Sequence, residues 1–142
     1  MSIFKKIPLR VASLALVLVF CFSFIAPVAD ARGSLFIGNY TTSMSTGSNG
    51  NVTVWFQITG TGMMDQIGST KVTIIENGTE IKTYHHTSTP GMMGYNKGFH
   101  GSSITYSGIP GRTYRAHVTY QCGKDGDWDN RSMGTNTVTA QP

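Results

Sequence analysis

The sequence predicts an all-β protein: a single seven-stranded antiparallel β-sandwich that follows a cleaved signal peptide. Thr, Val, Ile and Tyr recur in short runs after residue 34, and clusters of Gly, Asn, Ser and Pro separate these runs. This is the pattern of strands joined by turns. No segment beyond the leader repeats apolar residues at the 3.6-residue period of a helix. Seven short strands with frequent turn signals favour a two-sheet sandwich.

Residues 1–31 have the layout of a secretory signal peptide. The basic stretch "KKIPLR" precedes an apolar run, and the small residues Ala29 and Ala31 end that run. We expect cleavage after Ala31, which releases a domain of residues 32–142 outside the cell. The alternative is an uncleaved membrane anchor, because the apolar run is nearly long enough to span a bilayer.

Seven segments fit the strand pattern: 35–42, 51–59, 70–76, 80–86, 102–107, 113–122 and 133–140. Successive strand residues point to opposite faces of a sheet, so alternation assigns the core. In the second segment the inward residues are Val52, Val54, Phe56 and Ile58, and Trp55 points outward. In the sixth they are Tyr114, Ala116, Val118, Tyr120 and Cys122.

Glycine and asparagine mark the connections between these segments. Asn77-Gly78 is the strongest hairpin signal, because both residues tolerate positive φ. Residues 60–68 are expected to form a glycine-bounded crossing, and residues 87–101 the longest connection. Residues 125–129 are expected to form the tip of the last hairpin.

Composition excludes some classes of function. After cleavage, eight Lys and Arg remain against six Asp and Glu. A net charge of +2 does not argue for nucleic acid, and a membrane contact is expected only through the leader during export. Cys122 has no cysteine partner once the leader is removed, so it is either a buried, inert thiol or part of an intermolecular bridge.

The segment "YSGIPGRTYRAHVTY" resembles the turn into the sixth strand of fibronectin type III domains, with Pro110, Gly111 and Tyr114 in the matching places. The resemblance implies a fibronectin III-like or immunoglobulin-like sandwich in which the tyrosine hydroxyl ties a corner between strands. "GTGMMDQIG" followed by "KVTIIE" is similar to a group of small exported proteins of Gram-positive bacteria. That likeness implies a released bacterial product and supplies no activity.

The stretch "DGDWDNR" holds the candidate ligand-binding residues Trp128, Asp125, Asp127 and Asp129. Loops at the ends of sandwiches bind partners, and an indole on a polar turn presents apolar surface to them. The aspartates occupy positions one, three and five of an EF-hand loop, but Asn130 and Asn136 replace the Gly and Glu that positions six and twelve require. A looser calcium site and a solvated hairpin turn are the alternatives.

No catalytic signature is present, and neither an enzyme nor a cofactor or metal site is expected. The sequence lacks Gly-x-Ser-x-Gly and His-Glu-x-x-His motifs, and the inward Cys122 is a poor nucleophile. We therefore expect a secreted binding or extracellular structural module whose partner is a protein or a glycan. A bacteriocin-like toxin that acts on the envelope of related bacteria is the alternative.

Overall fold

The computed structural model of the protein describes residues 34–142, and every regular element in that range is a β-strand. Seven strands belong to one antiparallel hydrogen-bonded sheet, which confirms the all-β, antiparallel prediction. No helix within residues 34–142 is long and apolar enough to cross a membrane. The predicted signal peptide and its cleavage site at Ala31 lie outside the described residues.

The strands are β1 (Ile37–Thr46), β2 (Asn51–Glu76), β3 (Thr79–His85), β4 (Met93–Ser107), β5 (Thr113–Lys124), β6 (Asp127–Gly134) and β7 (Val138–Thr139). The central order is β1-β2-β5-β6. β3 and β4 also pair with β2, and β7 pairs with β5. β2 is therefore the strand around which the sheet is organised.

β2 is a single strand where the sequence predicted two. It includes both the second and the third predicted strands, and residues 60–68, predicted to be a crossing, are strand as well. Its first half, residues 51–59, pairs with β1 and β4. Residues 71–76 pair instead with β3 and β5. One strand thus supplies the centre of two differently composed parts of the sheet.

The glycine-rich middle of β2 leaves the regular register without ending the strand. The register against β4 shifts between Thr59 and Met64, so that residues 60–63 lie opposite Gly98 alone. The Thr61 amide N–H donates a 2.8 Å hydrogen bond to a carbonyl just before β1. Glycine usually weakens a strand, but here the freed backbone groups find partners and the irregularity persists as a bulge.

Three other boundaries differ from the prediction, and one turn agrees with it. β4 begins at Met93, inside the segment predicted to be the longest connection. β6 begins at Asp127, and the predicted last strand, 133–140, is divided between β6 and β7. Asn77 and Gly78 have φ values of 46° and 86° and join β2 to β3, as predicted from their tolerance of positive φ.

The core lies on the inward faces of β2 and β5, and the inward residues predicted for the second and sixth segments are all buried. Tyr120 has 0% exposure; its hydroxyl donates a 2.5 Å hydrogen bond to the Thr41 carbonyl, and its ring lies 5.3 Å from that of Tyr40. Each fully buried large apolar side chain stabilises a fold by about 1.5–3 kcal/mol. The alternating rows of β2 and β5 therefore supply a large part of the stability.

Tyr114 closes the corner before β5. Its hydroxyl accepts a 2.8 Å hydrogen bond from the Ile109 amide and donates one of 2.6 Å to Glu76 Oε2. Glu76 Oε1 also forms a 2.5 Å ion pair with Arg112. The Tyr114 and Arg112 hydrogen bonds lower the pKa of Glu76 from its ordinary value. The Tyr114 hydroxyl thus links the turn before β5 to the end of β2.

Candidate functional site

The turn between β5 and β6 is shorter than the sequence predicted. Only Asp125 and Gly126 lie outside the strands, with φ values of 55° and 84°. Positive φ at both positions is the type I′ geometry that suits the twist of a two-residue hairpin. The Asp125 amide donates a 2.8 Å hydrogen bond to Asp65 Oδ2. Asp127, Trp128 and Asp129, predicted to be in the hairpin tip, are in strand β6.

Asp129 lies on the core side of β6, opposite Cys122. Its Oδ2 atom accepts hydrogen bonds from Ser34 Oγ at 2.5 Å and from the Phe36 amide at 2.8 Å. These two hydrogen bonds lower the pKa of Asp129 from its ordinary value, and the bond from Ser34 has the larger effect. The carboxylate therefore holds the beginning of the described chain against β6.

Trp128 points to the other face of β6, opposite Gly123. The space above Gly123 holds the indole: a Cβ atom at that position would collide with the Trp128 ring and with the Asp127 carbonyl oxygen. The side chain stays 41% exposed. Trp128 thus both packs on its own hairpin and presents surface to solvent.

The structure does not bring the four candidate residues together. Trp128 and Asp129 lie on opposite faces, as neighbours in a strand must, and Asp125 lies in the turn. Asp127 is exposed at the start of β6, opposite Lys124. Within residues 34–142 no group of three or more His, Cys, Asp or Glu residues is placed to hold a metal ion.

Cys122 is buried with 0% exposure, as its inward phase predicted, and it is a free thiol. Its Sγ atom lies 3.4 Å from the Phe36 carbonyl oxygen, to which it donates. Burial, and then the charge of Asp129, raise the pKa of Cys122 to about 11. A thiol that is buried and protonated at neutral pH does not act as a nucleophile.

A groove lies on a different part of the sheet, around Trp55. It has a volume of about 520 Å³ and is lined by residues 41–43 of β1, 55–57 of β2 and 101–103 of β4. Trp55 is 53% exposed, and its neighbours on the adjacent strands are the small residues Ser43 and Ser103. The Trp55 face, as we call it, comprises Thr41, Ser43, Ser45, Thr53, Trp55, Gln57, Phe99, Gly101, Ser103 and Thr105.

Hydrogen bonds within the sheet hold the Trp55 indole in place. Its Nε1–H donates to Ser45 Oγ at 3.0 Å. The hydroxyls of Thr53 and Thr105, one row along the same face, are 3.0 Å apart. A ligand would therefore meet an aromatic surface whose orientation is already set, which reduces the entropy lost on binding.

A second exposed aromatic side chain, Phe99, lies on the same face. It is 52% exposed, and its ring leans over Gly101, where an added Cβ atom would be 3.2 Å from Phe99 Cζ and 3.6 Å from Gln57 Cβ. Gln57 lies two residues from Trp55 along β2, or about 6.8 Å. The face therefore presents an indole, an amide and a phenyl ring in succession.

None of the ten residues of the Trp55 face carries a charged side chain. The sequence predicted that Trp55 points outward, but it did not identify this surface. The available signal is weak: Thr41, Ser43 and Ser45 alternate with less exposed residues in β1, as Ser103 and Thr105 do in β4. Only strand pairing shows that these rows flank Trp55.

Comparisons of the chain with protein-family models, with curated proteins and with solved structures found no match.

Proposed function

We propose that this protein is an exported, non-enzymatic module that binds a neutral polysaccharide on the Trp55 face. One observation carries the proposal: a half-exposed indole, oriented by a hydrogen bond to Ser45, lies between two serines on an uncharged sheet surface. The sequence led us to expect either a protein or a glycan as the partner, and the proposal selects the glycan. It also assigns binding to a sheet face instead of the β5–β6 hairpin.

The chemistry of the face matches that of a sugar chain. A pyranose ring presents C–H groups on its faces and hydroxyl groups around its rim. The electron-rich face of an indole attracts such C–H groups, while Gln57, Ser43 and Ser103 offer donors and acceptors to the rim hydroxyls. Small residues beside Trp55 leave room for a ring to lie flat on it.

The absence of charge on the Trp55 face favours a neutral ligand. An anionic sugar would gain no ion pair there, and its own charge would lose hydration on contact. The succession of Trp55, Gln57 and Phe99 favours a linear chain over a single sugar. Phe99 lies opposite Thr59, four residues from Trp55 along β2, so a ligand must be extended to contact both aromatic residues.

The proposal also includes a fibronectin III-like sandwich fold and export from the cell. Two layers of a fibronectin III-like sandwich would account for the different partners of the two halves of β2, and the Tyr114 hydrogen bond to the Ile109 amide supports that assignment. Export is supported by residues 1–31, in which a basic stretch is followed by an apolar run and then by small residues. A module released from the cell would meet polysaccharides of a cell surface or of the surroundings.

Affinity electrophoresis and titration calorimetry with soluble dextran, mannan and mixed-linkage β-glucan test the proposal, with hyaluronate as the charged comparison. We expect at least one neutral polymer to bind and hyaluronate not to bind on the Trp55 face, so that Trp55→Ala leaves any hyaluronate binding unchanged. Trp55→Ala should weaken binding about tenfold or more, as removal of a central aromatic contact does. Trp128→Ala is the matched control, because it removes a comparably exposed indole from another part of the sheet.

Ser103→Tyr provides a second test, since it fills the space beside the indole while leaving Trp55 in place. Circular dichroism should show that each variant keeps the β-sheet spectrum. The proposal is wrong if none of the neutral polymers binds, or if Trp128→Ala abolishes binding while Trp55→Ala and Ser103→Tyr leave it intact.

A further inference from the structure

A second outward surface lies on the part of the sheet that β3, the second half of β2, and β5 form. Lys71 lies directly between His85 of β3 and Thr119 of β5. One row along, Thr73 lies between Thr83 and His117. We call this surface the cationic face: the exposed Lys71, Thr83, His85, Arg115 and His117, the half-exposed Thr119 and, buried among them, Thr73.

The register places the basic side chains of this face close together. Adjacent strands are about 4.8 Å apart, and residues two apart on one strand are about 6.8 Å apart. Lys71 therefore lies within about 10 Å of both His85 and His117 on one face, and all three residues are exposed. Arg115 continues the row of His117 along β5 and is exposed as well.

Carboxylates do not neutralise these cations. The ion pair between Arg112 and Glu76 involves neither Lys71 nor Arg115, and within residues 34–142 neither of the two forms an ion pair. Glu80 and Arg115 lie on opposite sides of Ile75, so Glu80 is two strands away from Arg115. Both are at the end of the face that is farther from Lys71. The centre of the face, around Lys71, therefore has an uncompensated positive potential.

Hydroxyl groups lie between the cations. Thr119 lies next to Lys71 in the register, with its Oγ1 atom 3.3 Å from Ser132 Oγ. Thr83 is exposed, and its Oγ1 atom is 3.3 Å from that of Thr73. Lysine, arginine, histidine and threonine side chains all can donate hydrogen bonds, so this face combines the charges of Lys71 and Arg115 with donors suited to tetrahedral anions.

We propose that the cationic face binds a linear polyanion whose repeating groups are tetrahedral anions, phosphate or sulfate. A polymer fits better than a single ion, because the basic groups are spread over three strands and do not converge on one point. It also fits better than a lipid surface, because none of the seven side chains is a large apolar group that could enter a bilayer. The Trp55 face and the cationic face would then bind different polymers, one neutral and one anionic.

Titration of the protein with long-chain polyphosphate and with poly(vinyl sulfate), a sulfate polymer without a sugar backbone, followed by intrinsic fluorescence or calorimetry, tests this inference. Binding of both polymers indicates that the tetrahedral anion is what the face recognises, and binding of one identifies phosphate or sulfate as the source. Affinity should fall about tenfold between 50 and 200 mM NaCl, as expected when about two cations displace counterions. Polyglutamate, a polyanion without tetrahedral groups, should bind more weakly than either polymer.

Lys71→Gln should weaken polyphosphate binding and reduce the salt dependence by about one charge, and Arg115→Gln should act in the same direction. Lys82→Gln is the matched control. It removes the same charge from the same hairpin, but Lys82 lies opposite the buried Ile74 with its Nζ atom 5.6 Å from the centre of the Tyr84 ring, so it faces the other way.

Equal losses in Lys71→Gln and Lys82→Gln would overturn the proposal, because they would show attraction to net charge alone. Tighter binding to phosphatidylglycerol vesicles than to polyphosphate would overturn it in favour of a membrane. Failure of both polymers to bind would refute it outright, and none of these results would bear on neutral-sugar binding at Trp55.

Discussion

The Ser34 hydroxyl donates a 2.5 Å hydrogen bond to Oδ2 of Asp129, although 95 positions separate the two residues in the sequence. The same carboxylate oxygen accepts the Phe36 amide, and the Ile37 amide donates to Ser34 Oγ at 2.8 Å. Asp129 thus fixes the path by which the chain enters β1. The residue that the sequence placed in a ligand-binding loop is a structural contact between the segment before β1 and the sixth strand.

Asp129→Asn should destabilise the protein at neutral pH by about 1 kcal/mol, because a charged acceptor of two hydrogen bonds is lost while water partly compensates. The folded-state pKa of Asp129 is lowered, so its stabilising effect is present above the ordinary pKa of 3.8 and is lost as the pH falls below it. Urea unfolding at pH 7 and pH 3 should show the difference between wild type and variant shrinking in acid. Asp127→Asn, at an exposed carboxylate two residues away, should have no such effect; an equal loss in both variants would contradict the prediction.

Gly123→Ala should cost about 2 kcal/mol, the usual range for overpacking, because the new methyl group would meet the Trp128 ring and the Asp127 carbonyl. In a Trp55→Phe background, the remaining indole emission should shift to longer wavelength as Trp128 is displaced. Gly134→Ala is the control in the facing strand, since its Cβ atom would come no closer than 3.5 Å to His117. Unchanged emission in Gly123→Ala would mean that the indole does not lie on Gly123.

The Cys122 thiol should resist iodoacetamide in the folded protein at pH 8. It is fully buried, and its pKa of about 11 leaves little thiolate. Mass spectrometry should detect one added group only after denaturation in guanidinium chloride. Rapid labelling of the native protein would contradict both the burial and the raised pKa, and would revive the intermolecular bridge that the sequence left open.

Tyr114→Phe should lower the free energy of unfolding by about 1–2 kcal/mol, because it leaves the Ile109 amide and a Glu76 oxygen without the partner they have in the folded state. Tyr95→Phe, which removes the hydroxyl of a 58% exposed ring, should change stability by less than about 0.5 kcal/mol. Guanidinium unfolding of both variants measures the difference. Similar stabilities would show that the corner hydrogen bonds contribute little.

The sequence by itself determined the all-β, antiparallel class and the inward faces of β5 and of the first half of β2. Period-two alternation depends only on the geometry of an extended chain, and it is therefore visible in "NVTVWFQI" and "TYRAHVTYQC" without knowledge of any partner strand. The same local geometry correctly predicted the Asn77-Gly78 turn, the outward direction of Trp55 and the burial of Cys122.

Tertiary structure alone decided which residues share a surface. The continuity of β2 through residues 60–63 depends on backbone partners elsewhere in the chain, so glycines that look like a break become a bulge. Trp128 and Asp129, adjacent in sequence, separate because neighbours in a strand face opposite ways, whereas Ser43, Trp55 and Ser103 meet only because three distant strands pair in one register. Strand pairing is set by long-range hydrogen bonds and shared burial, which no local pattern records.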